Sequence, residues 1–207
     1  SFLESEAQPA SAESARFHVI PAPLERSVSY GGGTRNGPRA ILEASQQLEV
    51  STGPGTSIAA GIHTCPAVDC GGEPAAVVKR ISEKVQTVLK CRGLPVLLGG
   101  EHTVTLGAVE ALRNGGGSFG VVQFDAHADL RDIYEGDRFS HACVARRIGE
   151  LGVPLFQIGV RSMSEDGRRF AQSRGVQTAG AEELIRNGTG NVRLPDDFPQ
   201  AVYVTFD

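Results

Sequence analysis

Apolar positions along the chain follow two alternating periods. Short runs rich in β-branched residues predict strands: "RFHVI" over Arg16–Ile20, "LPVLLGG" from Leu94, "FGVVQF" from Phe119, "PLFQIGV" from Pro154, "VQTA" from Val176 and "AVYVTF" from Ala201. Between these runs apolar residues recur at spacings of three and four. Val77, Val78, Ile81, Val85, Val88 and Leu89 mark one face of a helix over Glu73–Cys91, which Gly93 ends. Further helices are predicted over Arg39–Leu48, opened by Gly37-Pro38, over Thr103–Arg113, closed by "NGGG", over Ser140–Leu151, and over residues 164–174 and 181–187. Residues 49–72 contain many Gly, Pro, Ser and Thr, and predict loop with one strand near Ile58–Ile62.

The strand runs are continuously apolar, so both faces of the sheet they build are covered. Strand and helix alternate, which predicts a three-layer α/β/α sandwich with a mainly parallel central sheet. The element count is low for a TIM barrel. With 207 residues the chain suits one α/β domain over residues 15–207, preceded by a small, polar, acidic stretch over residues 1–14 that is expected to be a flexible leader.

Composition narrows the function classes. Hydrophobic residues make up 40% and charged residues 21% of the chain, which is ordinary for a globular protein. The formal charge is −4, and no run of Lys or Arg offers a nucleic-acid footprint. No apolar stretch reaches the ~18–20 residues that span a bilayer. Cys65, Cys70, Cys91 and Cys143 show no Cys-x-x-Cys spacing, and reduced thiols in a cytoplasmic protein are expected.

The chemistry is concentrated where strands end. "GVVQF" runs into Asp125-Ala-His127-Ala-Asp129, "PVLLGG" into Glu101-His102, and "VYVTF" into Asp207. In a parallel sheet these are carboxyl ends on one edge, where α/β folds bind ligands. In extended chain residues i, i+2 and i+4 point the same way, so Asp125, His127 and Asp129 are expected to face one point. Buried carboxylates this close repel and lose their hydration, and divalent cations would relieve both costs. Two imidazoles with at least three carboxylates match two cations better than one. Oxygen and nitrogen donors without thiolate suit Mn²⁺, with Fe²⁺, Co²⁺ or Zn²⁺ as alternatives.

"LLGGEHTVTLG", "VVQFDAHADLRDIYEGDRFSHA" and "VYVTFD" closely resemble the arginase/agmatinase ureohydrolases. "GGGTRNGPRAI" resembles an N-terminal signature of the family, and "FQIGVRS" the strand before its C-terminal part. The resemblance runs from residue 15 to 207 without a large gap. It implies an arginase-like fold and a centre of two Mn²⁺ ions per complete subunit. Carried over by position, His102 and Asp129 would bind the first metal, His127 the second, and Asp125 and Asp207 would bridge. The family continues its last motif as Asp-x-Asp, so a further ligand and the acidic residue that holds the guanidinium are expected beyond Asp207, and the C-terminal part of the fold is expected to be missing from this chain. In the implied reaction activated water attacks a guanidino carbon and releases urea and an amine. Asp129 would pass a proton to the leaving nitrogen, and His141 in "FSHA" would be the family's proton shuttle, with Ser140 as a helix N-cap.

For the substrate, the resemblance and the acidic loop residues Asp132, Glu135 and Asp137 favour agmatine, giving putrescine and urea. Arg131 could instead pair with a carboxylate. That leaves 4-guanidinobutanoate, 3-guanidinopropanoate, formiminoglutamate and arginine as alternatives, and a non-enzymatic paralogue as the other class. The family resemblance further implies a homo-oligomer, trimer or hexamer. Three other features have structural readings. "GGGTRNGPRAI" lacks the Gly-Lys-Ser/Thr of a phosphate loop. His18 and His63 are expected to be structural. A Cys143–His141 nucleophilic pair lacks an orienting third group.

Overall fold

The computed structural model describes residues 1–49 and 60–207. Residues 58 and 59 of the strand expected near Ile58–Ile62 therefore lie outside the described residues. The chain forms two compact units, residues 1–111 and 112–207.

The first unit carries β1 (Phe17–Ala22), α1 (Gly37–Ala44), β2 (Ile62–Thr64), α2 (Pro74–Lys90), β3 (Leu94–Gly99) and most of α3 (Val104–Asn114). Its strands pair in parallel in the order β2-β1-β3. The period read from Val77 to Val88 does face inward, since Val77, Val78, Ile81, Val85 and Val88 are all buried. The end of α2 differs from expectation. The left-handed residue is Arg92, at φ 57°, and not Gly93. Gly93 serves close packing instead, because a Cβ there would lie 2.7 Å from Nε2 of buried His18. His18 pairs in register with His63, and each ring contacts a carbonyl of the preceding chain, Ala15 O and Ala10 O. Residues 1–14, expected as a flexible leader, make specific contacts: Leu3 is buried, its N–H donates to Ser45 Oγ at 2.9 Å, and Phe2 N–H donates to Thr64 Oγ1 at 2.8 Å.

Two acidic residues order the loop between β1 and α1. Glu101 follows β3 and is buried, and its carboxylate accepts from Arg26 N (2.7 Å), Ser27 N (2.8 Å), Ser27 Oγ (2.9 Å) and Thr103 Oγ1 (3.0 Å). Gly100 beside it has no room for a side chain, since a Cβ would run into the Leu24 carbonyl. Glu25 gathers the "GGGTRN" loop by accepting from Gly33 N (2.6 Å), Arg35 N (3.0 Å) and Thr34 Oγ1 (3.1 Å). Those donors, the Arg35 backbone N–H foremost, hold its carboxyl down to about 2. A depressed carboxyl pKa stabilises the fold at pH values above the ordinary value of 4.5, and the contribution disappears as pH falls toward about 2. Glu25→Gln is therefore expected to lower the Tm at pH 7, and its Tm deficit against wild type should shrink below pH 4.5, measured by thermal melts across that range.

The second unit carries β4 (Gly120–Phe124), α4 (Val144–Glu150), β5 (Leu155–Ile158), α5 (Glu165–Arg174), β6 (Gln177–Ala179), α6 (Ala181–Asn187) and β7 (Val202–Phe206). Its sheet is all-parallel, in the order β6-β5-β4-β7. One face packs Val122, Phe156 and Ala179 with Phe124, Ile158, Leu184, Val192 and Phe198. The helix expected over Ser140–Leu151 begins with a 3-10 turn at His141–Cys143 before α4 proper. Each predicted strand and helix among the described residues is present within a few positions, and the architecture is the expected parallel α/β. The strands hydrogen-bond as two sheets, however, and not as one. β3 and β7 are edge strands of their own sheets, with Leu94, Val96, Val202, Val204 and Phe206 left partly exposed.

Candidate metal centre

β4 lies between β5 and β7, with Phe124 in register with both Ile158 and Phe206. The register continues one residue past the strands. Asp125 N–H donates to Ile158 O at 3.0 Å, and Asp207 N–H donates to Phe124 O at 3.0 Å. Asp125 and Asp207 thus leave the sheet side by side at its carboxyl edge, as the strand-end argument expects. Beyond Asp125 the chain bends at Ala126 and then bridges Ser162 in parallel at His127. The strip is pinned by Ala128 N–H to Ser162 O (3.0 Å) and by Arg161 and Ser162 N–H to Ala126 O (2.9 and 3.1 Å). At Asp129 the backbone turns left-handed, with φ 50°. This is an uncommon conformation for a residue with a Cβ, and one that aspartate tolerates better than most.

Carboxylate oxygens of Asp125, Asp129 and Asp207 lie within 4.8 Å of one another. Asp125 and Asp129 are only 6% and 8% exposed. Three acidic groups so close, two of them buried, fit a divalent cation: the cation cancels their repulsion and replaces lost hydration. The donors are hard oxygens with imidazole nearby and no thiolate, as Mn²⁺-type ions prefer.

The alternation argument needs correction at its middle residue. It expects Asp125, His127 and Asp129 to face one point, but the chain bends at Ala126, so His127 turns away while Asp129, at its left-handed φ, comes back beside Asp125. His127 is 61% exposed along its side chain, with Nδ1 3.6 Å from Asp125 Oδ1. It stands beside Asp125 and outside the close carboxylate group. An imidazole beside a carboxylate is a donor pair that a divalent cation could take. His102 belongs to the first unit, where it follows Glu101 after β3 and is 6% exposed.

His141 opens the 3-10 turn beyond the loop. Ser140 is its N-cap as expected, accepting from Ala142 N at 3.4 Å, although it caps this turn and not α4 itself. The His141 ring meets the Tyr134 ring edge-on at 5.6 Å, and the Arg131 guanidinium lies 5.6 Å from the same tyrosine ring. Tyr134 is set by a tight turn, in which Tyr134 and Asp137 exchange backbone hydrogen bonds and Glu135 and Gly136 take φ of 50° and 83°.

The loop carboxylates are used locally. Asp132 pairs with Arg147 Nη2 at 2.6 Å and also with Arg138 and Arg146, and the Arg147 hydrogen bond holds its carboxyl below the usual range. Asp137 Oδ1 accepts from Phe139 N at 2.8 Å. Asp132 thus belongs to an ion cluster with its own arginines. Cys143 is fully buried, and burial pushes its thiol up to about 11. A protonated, buried thiol is no nucleophile at neutral pH, so the Cys143–His141 alternative falls.

Comparison with known proteins gives the chain's relatives. A sequence model of the Arginase family matches residues 15–207. The chain is 36% identical over 218 residues to an N(1)-aminopropylagmatine ureohydrolase of Synechocystis sp., covering 100% of this chain and 70% of that protein. It is 35% identical over 200 residues to an agmatinase of Pyrococcus horikoshii, covering 93% and 68%. The agmatine ureohydrolase of Thermoplasma volcanium superposes with a TM-score of 0.85 at 28% identity, covering 95% of this chain and 68% of that one.

Proposed function

The chain belongs to the arginase family and is a hydrolase acting on amidino groups; we propose that it is a binuclear manganese ureohydrolase of the agmatinase type. Its substrate on this reading is agmatine or the N(1)-aminopropyl derivative of agmatine. The observation that carries the reading is the close group of Asp125, Asp129 and Asp207 carboxylates at the carboxyl edge of a parallel sheet. The family motifs add His102 and His127 to Asp125, Asp129 and Asp207 as the residues that would hold the metal. Divalent cations held there would lower the pKa of water and supply a nucleophile at neutral pH.

The chain's own residues do the rest. Asp129 would take a proton from the attacking water at its carboxylate and pass it to the leaving nitrogen. His141 carries protons between the site and solvent, with its ring steadied by Tyr134 and its turn capped by Ser140. Agmatine and its aminopropyl derivative are favoured over guanidino acids because the relatives that match most of the chain carry those names.

The test is product release by the full chain with added Mn²⁺, across agmatine, N(1)-aminopropylagmatine, 4-guanidinobutanoate, 3-guanidinopropanoate, formiminoglutamate and arginine. Urea is measured for all but formiminoglutamate, for which formamide is measured. The agmatine pair should lead in kcat/KM by at least about tenfold, which is ~1.4 kcal/mol of transition-state discrimination. A guanidino acid leading by that margin would overturn the choice and direct attention to Arg131. The ratio within the pair separates agmatine from its aminopropyl derivative.

A further inference from the structure

A row of polar side chains crosses the second sheet one layer beneath the metal ligands. Thr178 on β6, Gln157 on β5, Gln123 on β4 and Thr205 on β7 are direct neighbours in register. Side chains two residues apart on a strand share a face. Gln123 therefore lies under Asp125, and Thr205 under Asp207. Gln123 and Gln157 are 1% and 0% exposed, in a sheet whose other buried positions are largely Val, Leu and Phe. An amide buried this deeply is costly unless its hydrogen bonds are made. A leucine would fit the pattern of the strand better, so two glutamines in register need a reason.

The hydrogen bonds supply one. Gln157 Nε2 donates to Ala128 O at 2.7 Å and to Gln123 Oε1 at 2.9 Å. Gln123 Nε2 donates to Asp125 Oδ2 at 2.8 Å and to His127 O at 3.3 Å. The direction is forced from the far end. Ala128 O can only accept, so Gln157 must point its NH₂ there. Gln123 must then turn its Oε1 to Gln157 and its NH₂ to Asp125. The other carboxylate oxygen, Oδ1, accepts from His127 N–H at 2.8 Å. Asp125 is thus fixed in rotation, with both oxygens receiving donors, and the carbonyls of the 127–129 strip are gripped from below.

We propose that Gln123 and Gln157 are positioning residues: together they orient the Asp125 carboxylate and hold the ligand-bearing strip 125–129 in its bent course. The proposal deepens the metal reading above and rests on it for its consequence in metal binding. Partners that orient metal ligands typically account for 10–100-fold in metal affinity.

The experiment uses the full chain and three variants, Gln123→Leu, Gln157→Leu and the double change, with Mn²⁺ affinity measured by calorimetry and Tm by melting. Gln123→Leu should weaken Mn²⁺ binding by roughly 10–100-fold. Gln157→Leu should weaken it less, and the double variant should lose less than the product of the single losses, because both act through Asp125. Wild-type Mn²⁺ affinity in Gln123→Leu, or single losses that multiply, would overturn the proposal.

A second measurement needs no metal and no change at either glutamine. In the metal-free chain, NMR should show the side-chain NH₂ protons of Gln123 and Gln157 protected from exchange, and Asp125→Asn should shift those of Gln123. Exchange as fast as that of an exposed glutamine would overturn the proposal even if Mn²⁺ binds. If the wild-type chain takes up no Mn²⁺ yet both amides are protected, the metal reading fails and the orienting role stands.

Discussion

Asp125→Asn is expected to abolish nearly all activity, to lose at least one of the two proposed metal ions, and to lower stability. The change is isosteric, so packing is preserved and the consequences are electrostatic. On the proposed reading the change removes a negative charge that would hold metal, and the several kcal/mol that metal ions contribute to such transition states correspond to roughly a thousandfold or more in rate. The stability cost has a separate origin. Both Asp125 oxygens now accept, from Gln123 Nε2 at 2.8 Å and from His127 N at 2.8 Å. An asparagine offers one oxygen and one NH₂, so one buried donor faces another donor, a cost of about 1–3 kcal/mol. Gln123 cannot relieve it by flipping, because Gln157 holds its Oε1 at 2.9 Å. Metal content by elemental analysis, urea release and thermal melts read the three effects separately. Full metal occupancy with normal turnover would refute the bridging role.

His141→Asn is expected to keep its metal and fold while kcat drops by roughly 10²–10⁴-fold, the usual range for a positioned general acid–base group. The neighbouring geometry makes a pure rate effect the natural outcome. The turn is capped by Ser140, whose Oγ accepts from Ala142 N at 3.4 Å and lies 3.4 Å from His141 Nδ1, and the Ala142 hydrogen bond remains in the variant. The ring's contact with Tyr134 is an edge contact at 5.6 Å, which contributes modestly to stability. Added imidazole should restore part of the rate in the variant if the lost function is proton transfer. Loss of metal with the rate loss would instead make His141 a ligand, and unchanged kcat would remove it from the mechanism.

Much of this protein was legible in one dimension. Period three-and-four recurrence located α2 and its buried face, and continuous β-branched runs located the strands, because both signals depend only on which residues must leave water. The strand-end placement of Asp125 and Asp207 was equally legible, since a parallel sheet presents the carboxyl ends of its strands on one edge. The precise grouping of ligands was not. A period of two holds only while the backbone stays extended, and the bend at Ala126 ends that, leaving His127 exposed beside Asp125. The arginine partners of Asp132 were not legible for a similar reason: Arg146 and Arg147 lie more than a dozen residues on, brought back by α4. Gln123 and Gln157 carried no signal beyond a polar residue in an apolar strand. Their meaning appeared only when the register set them side by side beneath a ligand. Sequence by itself determined the elements and the chemistry available at their ends, because those follow from local periodicity and residue type. Tertiary structure alone decided which polar groups face one another, because hydrogen bonds and ion pairs depend on distances that strand register and a single backbone dihedral set.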